Sequence, residues 1–362
     1  MSLRPTLTVD LNAIAANYRL MRDRVDPAEC SAVIKADGYG LGALPIAERL
    51  HQEGCRTFWT AHLHEAVEIR SALANPDVSI FVFNGVGDQS VADFVDNRLT
   101  AVLNTVSEIV HWTTAAPGQP VAVHLDTGIN RLGLNEADDA VLLEHTNRGL
   151  QVRQWVSHLA CADEPARQEN CRQLDRFLSR LSKLPKATRS LANSSGCFLD
   201  KAYHLDLVRP GLALYGAQPI AGRTLPLSIP YRFEAPILQV RAFSAGEAFG
   251  YGGTAIATEN GYAATVGAGY ADGVPRALSN TGHIWVDGIK APILGRVSMD
   301  STIIDVSDHP APETLVEQQA EIYGAHLSVD QQAAAAGLLT YELLTRIGGR
   351  TERLHVNELA DR

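Results

Sequence analysis

The sequence predicts an α/β protein: an N-terminal (β/α)₈ barrel of the TIM type followed by a mainly β C-terminal domain. Three observations predict it. Eight short apolar runs alternate with amphipathic stretches, no dinucleotide-type glycine loop follows the first run, and the texture changes after Pro219. Length agrees, because 362 residues exceed one average domain and suggest two.

Taken in order, Thr6–Val9 is a β-type run that could pair with either domain, and Leu11–Arg24 is a first helix. The barrel strands are Ser31–Ile34, Thr57–Trp59, Val78–Phe83, Thr100–Leu103, Val121–Leu125, Val152–Val156, Ala187–Leu191 and Leu205–Val208. Each is short and rich in β-branched or aliphatic residues, as strands buried on both faces are. Leu44–Gln52, Leu63–Leu73 and Pro165–Leu184 carry apolar residues at helical spacing. Eight alternations over roughly 200 residues suit a closed barrel better than an open doubly wound sheet. Gly85-Val86-Gly87 lacks the third glycine of a G-x-G-x-x-G loop and reads as a plain turn. Gly222–Pro230 is a linker rich in Gly, Pro and Ser. Beyond it the β runs are Ile237–Phe243, Ala263–Val266, His283–Val286, Ala291–Leu294 and Thr302–Val306, with one long helix expected over Val329–Arg346. The expected domains are 10–222 and 223–362, residues 1–9 being free to join the second.

Composition narrows the function. A net charge of −10 without a Lys/Arg cluster argues against a nucleic-acid partner. No stretch approaches the ~18 apolar residues of a membrane span, and the N-terminus has no apolar h-region. Cys30, Cys55, Cys161, Cys171 and Cys197 are odd in number and scattered, with no C-x-x-C pair. Neither a disulfide framework nor a metal site is indicated. The expectation is a cytoplasmic protein with free thiols.

Chemistry in such a barrel sits at the C-terminal ends of the strands. Lys35 follows the first run, in Ile34-Lys35-Ala36-Asp37-Gly38-Tyr39. An ammonium at the tip of a buried strand is costly to keep charged, so its pKa falls and the amine becomes reactive toward carbonyls. Arg131 lies beyond the fifth run, His158 follows the sixth, Asn193-Ser194-Ser195-Gly196 the seventh and Arg209-Pro210-Gly211 the eighth. Loops after the last two strands commonly cradle a phosphate. Ser194 offers a hydroxyl there, and the turn at Gly211-Leu212 offers backbone N–H groups. A carbonyl-reactive lysine beside a phosphate cradle points to pyridoxal 5′-phosphate, with Lys35 as its attachment.

Eight ordered motifs then match a known family: VIKADGYG (33–40), DTGINRLG (126–133), SHLACAD (157–163), ANSSG (192–196), VRPGLALYG (208–216), FGYGGT (249–254), GAGYADGVPR (267–276) and GRVSMD (295–300). Over nearly its whole length the chain resembles the alanine racemases, fold-type III pyridoxal phosphate enzymes. The resemblance implies an isomerase interconverting L- and D-alanine, built as a homodimer whose β domain completes the neighbour's site. It implies Lys35 as cofactor carrier and base on one substrate face, and Tyr251, from the partner subunit, as acid/base on the other. Two opposed groups suit racemisation, in which a proton leaves one side of a planar carbanion and returns on the other. It further implies Arg209 facing the pyridine nitrogen, Arg131 and the Met299 N–H on the substrate carboxylate, and Tyr39, Ser194, Gly211 and Leu212 on the phosphate. His158 would lie near the cofactor, with Tyr270, Asp163 and Arg276 lining the entrance.

Three positions depart from the pattern. The carbamylated lysine that many members use to steady the carboxylate-binding arginine is here His124, so neutral His124 or a bound anion must do so. A histidine often found before the phosphate serine is Ser190. A late tyrosine that reaches the phosphate in some relatives aligns near Gly349. Alternatives are a racemase of serine or a wider range of small amino acids, a fold-type III decarboxylase, and a cofactor-holding protein without turnover. The decarboxylase would put an acid where Arg209 stands, and a cysteine in the second domain. Supply of D-alanine for peptidoglycan and L-alanine catabolism require the same chemistry.

Overall fold

The computed structural model describes residues 3–87 and 91–359. The chain divides into two compact units, one of residues 14–38 and 43–228, the other of residues 1–13, 39–42 and 229–362.

In the first unit seven parallel strands follow one another in chain order: Ala32–Val33, Thr57–Thr60, Ser79–Val82, Thr100–Leu103, Val121–His124, Val152–Val156 and Thr188–Ser190. Leu207–Val208 completes the ring, pairing in parallel with Glu29–Cys30 and bridging to the seventh strand's extension through Asn193 and Arg209. The Ser31 N–H donates to Val208 O at 3.1 Å and the Arg209 N–H to Ala192 O at 2.9 Å, so the eight expected runs close a barrel. Strands such as Thr57–Thr60, Thr100–Leu103 and Val121–His124 are buried throughout, which explains why they read as continuous apolar runs rather than alternating ones. Leu11–Val25 buries Ile14, Tyr18, Met21 and Val25, one stripe at helical spacing.

Gln168–Leu181 is unusual because its inward face is partly polar: Asn170, Gln173 and Arg180 are buried beside Leu174 and Phe177. Their hydrogen bonds end on the loops after the fifth and sixth strands. Arg180 pairs with Asp139 and donates to the carbonyls of Asp126 (3.0 Å), Leu134 (2.8 Å) and Asn135 (2.9 Å). Gln173 accepts from the Ala160 N–H and donates to His158 O. A buried guanidinium satisfied in this way fixes loop geometry, since any shift would strand a charge.

The second unit is built on a sheet in the order Ile289–Pro292, His283–Val286, Gln319–Tyr323, Tyr231–Phe243, Thr6–Asp10, Glu352–Val356, with Gly261–Val266 and Thr302–Asp305 continuing from Tyr231–Phe243. Thr6–Asp10, ambiguous in sequence, runs antiparallel to Tyr231–Phe243 and parallel to Glu352–Val356. The expected single helix over Val329–Arg346 is two, Val329–Ala336 and Thr340–Thr345. Gly337 adopts φ 63° and caps the first, the left-handed stop glycine permits without a Cβ penalty. Among the described residues no helix is long and apolar enough to cross a membrane.

Candidate active site

Each barrel loop starts where its strand's hydrogen bonds run out, so side chains at those positions converge on one mouth. There a cavity of about 340 Å³ is lined by Lys35, Phe83, Asn84, His124, Arg131, His158 and Arg209, among others. Four residues expected from sequence, Lys35, Arg131, His158 and Arg209, are therefore together. Burial is the main influence lowering the Lys35 pKa, Arg131 adds to it, and Glu65 opposes it. Its Nζ lies 5.8 Å from the centre of the Phe83 ring.

Arg209 is buried and largely saturated. It donates to Ser190 Oγ and to the carbonyls of Ser157 and Leu191, lies 3.5 Å from His158 Nδ1, and sits 5.5 Å over the Trp59 ring. Burial lowers its pKa to about 9, which leaves it cationic at neutral pH. Its Nε–H has no acceptor among the described residues. Ser190 Oγ donates in turn to Leu207 O at 2.7 Å, so the chain of hydrogen bonds ends on a backbone carbonyl that cannot pass a proton on. Arg131, by contrast, is exposed, and its guanidinium makes no hydrogen bond among the described residues. Asp126 shapes its loop by accepting from the N–H groups of Gly128, Ile129 and Asn130.

His124 is 8% exposed, and burial together with Arg209 and Arg131 lowers its pKa to about 4, although Asp126 opposes them. Asn104 donates both amide hydrogens, to Phe83 O and Val102 O, so its Oδ1 faces His124 Nδ1 at 3.0 Å. The imidazole is thus neutral with its hydrogen on Nδ1, and Nε2 is a buried acceptor with no partner among the described residues. His158 is also held neutral, by burial first and then by Arg209 and Arg131.

Ser194 joins the last two loops. Its Oγ accepts from the N–H groups of Gly211 at 2.9 Å and Ala213 at 3.2 Å, leaving its own hydrogen and the Leu212 N–H to donate elsewhere. The other expected residues belong to the β unit. Tyr39 is buried there, its ring 6.0 Å from that of Tyr341, and burial raises its pKa. Tyr251 is 72% exposed at the tip of the hairpin Ala248–Phe249/Ala255–Ile256, where Gly250, Gly252 and Gly253 all take positive φ. Met299 is exposed with its N–H lacking an acceptor among the described residues. Tyr270 and Arg276 line one groove with Arg346.

Sequence reasoning missed Asn84 and Asn104, although each directly follows a strand or its first turn and the rule that found Lys35 would have found them. It also missed Glu65, whose partners lie in two loops, and Tyr341, which no local signal connects to Tyr39.

A parallel barrel with a half-buried lysine of lowered pKa and two arginines, one buried and one exposed, beside a cavity at its mouth has the build of a barrel enzyme. Comparison with known proteins makes this specific. Residues 9–219 match the family model "Alanine racemase, N-terminal domain" and residues 231–355 "Alanine racemase, C-terminal domain". An alanine racemase of Acidiphilium cryptum is 41% identical over 97% of this chain and 98% of its own length. One of Rickettsia canadensis is 39% identical over 96% and 98%. The crystal structure of alanine racemase from Bartonella henselae with covalently bound pyridoxal phosphate superposes with a TM-score of 0.93, at 35% identity over 98% of this chain and all of that one. The chain belongs to the alanine racemase family.

Proposed function

We propose that this enzyme interconverts L- and D-alanine with pyridoxal 5′-phosphate by a two-base mechanism, in a homodimer. One observation carries the reading: a half-buried amine of lowered pKa shares its cavity with a buried arginine whose Nε–H lacks an acceptor among the described residues.

The donor set fits the cofactor. A neutral pyridine nitrogen is an acceptor, which the orphaned Arg209 Nε–H requires, and an aldehyde is what the Lys35 amine attacks. Lys35 would carry it, with Arg209 at its ring nitrogen, His158 beside it, and Tyr39, Ser194, Gly211 and Leu212 at its phosphate. When bound, it withdraws electrons from the substrate's nitrogen and so acidifies the Cα–H bond.

The chain's own residues do the rest. Lys35, whose pKa desolvation lowers, takes or returns the α-proton on one face. The partner subunit's Tyr251 does so on the other, a task that cationic surroundings assist by favouring the phenolate. Arg131 and the Met299 N–H hold the carboxylate, and the bare Nε2 of neutral His124 adds an uncharged acceptor to the cavity that Arg131 also lines. Tyr270 and Met299 restrict side-chain volume, favouring alanine over larger substrates.

The deciding measurement is α-hydrogen exchange in D₂O from each alanine enantiomer, in the wild type, Lys35→Ala and Tyr251→Phe. Each variant should lose exchange from a different enantiomer. Equal losses from both would remove the assignment of faces, and a protein whose chromophore borohydride cannot fix would remove the cofactor.

A further inference from the structure

Directly after Lys35 the backbone turns left-handed for four residues: Ala36, Asp37, Gly38 and Tyr39 have φ of 53°, 52°, 62° and 58°. Each non-glycine residue there costs about 1–2 kcal/mol, so the turn persists only if its surroundings hold it. Three contacts do. The Gly38 N–H donates to Ile34 O, Asp37 Oδ1 accepts from the Ala43 N–H, and Glu65 Oε1 accepts from the Ala36 N–H at 2.6 Å.

Glu65 lies in the first turn of the next helix, Leu63–Ala72, where its Oε2 accepts from the N–H groups of Ala61 (2.8 Å) and His62 (3.0 Å). An ordinary helix cap needs no more than this. The second oxygen reaches back to the preceding barrel loop and grips the peptide joining Lys35 to Ala36. We propose that Glu65 is a positioning residue for Lys35, its carboxylate clamping the left-handed turn so that the amine is presented to the cavity. This rests on the reading of Lys35 given above. Its negative charge also raises the Lys35 pKa against burial and Arg131.

The barrel contains a built-in control. Glu108 occupies the same position in the helix Val106–Ala115, accepting from Asn104 and Thr105 N–H groups and reaching back to the Val86 N–H, in a turn, Phe83-Asn84-Gly85-Val86-Gly87, whose sequence has no lysine. Glutamine at either site keeps the length but removes the charge and can accept at one oxygen only.

The test compares holoenzyme variants Glu65→Gln, Glu65→Asp and Glu108→Gln by urea midpoint, by cofactor dissociation constant and by α-hydrogen exchange from each enantiomer across pH. Both glutamine variants should lose comparable stability. Glu65→Gln should weaken cofactor binding about tenfold, the worth of one charge-assisted hydrogen bond and more than Glu108→Gln does, and slow exchange from the enantiomer that Lys35→Ala abolishes more than from the other. Its acid limb should move to lower pH, because removing the anion lowers the amine's pKa; Glu65→Asp should keep the limb but not the affinity. Equal slowing of both enantiomers at cofactor saturation, or behaviour matching Glu108→Gln, would overturn the proposal and leave Glu65 a helix cap. The underlying reading fails separately, if Lys35→Ala still yields a chromophore that borohydride fixes.

Discussion

His124 Nδ1 lies 3.0 Å from Asn104 Oδ1, and this contact fixes which imidazole nitrogen is bare. Removing it frees the tautomer. Asn104→Ala should let the hydrogen move to Nε2, which would then present a donor rather than an acceptor to the cavity that Arg131 also lines. The expected outcome is a rise in KM for alanine of about tenfold, one lost hydrogen bond, with kcat changed less. Steady-state kinetics in both directions check this; an unchanged KM would dissociate His124 from Arg131.

Acid should destabilise the fold through the same histidine. Unfolded, it binds a proton below about pH 6.5; folded, it refuses one until about pH 4. Stability therefore falls as pH drops through that window and levels below it. The difference is worth about 3 kcal/mol for His124, and His158, shifted the same way, adds to it. Urea denaturation at successive pH values should show a shallower acid slope in His124→Asn than in the wild type.

Arg209 can donate to a ring nitrogen but cannot protonate it fully. Arg209→Glu should favour a protonated ring and a deeper electron sink, letting the proton return to the wrong carbon. Pyruvate released per racemisation event should increase at least tenfold, against the ~1.4 kcal/mol that factor represents. An unchanged product ratio would refute the role assigned to the arginine.

Gly269 is packed so closely that a Cβ would stand 2.3 Å from Ser298 O and 2.4 Å from Met299 O. These are backbone atoms and cannot swing away. The same backbone is stitched by the Tyr270 N–H to Ser298 O and the Ala271 N–H to Met299 O, both 3.0 Å. Gly269→Ala should cost about 3 kcal/mol, the upper range for overpacking, and raise KM by displacing the Met299 N–H. Thermal denaturation and kinetics on one preparation test both.

Most of the barrel is legible in the sequence because its signal is local. Strands buried on both faces must be largely apolar along their length, so Thr100–Leu103 and Val121–His124 can be read from composition, and the residue after each strand is a site candidate by position. Val329–Arg346 reads as one helix because its apolar periodicity carries across Gly337, and only the observed φ reveals the stop. Thr6–Asp10 carries no local signal of its place, since its partners lie more than 200 residues away.

Residue types, their order and the strand-to-loop rule thus determined by themselves the fold class and the family, and singled out Lys35, Arg131, His158 and Arg209, which the structure brings to one cavity. What only tertiary structure decided is the protonation and partnership of those groups: a neutral His124 with Nε2 bare, an Arg209 whose hydrogen-bond chain ends at Leu207 O, and a lysine turn held by Glu65. The reason is physical. Chemical identity is carried by each residue alone, whereas charge state and hydrogen-bond direction depend on burial and on neighbours that the chain brings together from distant positions.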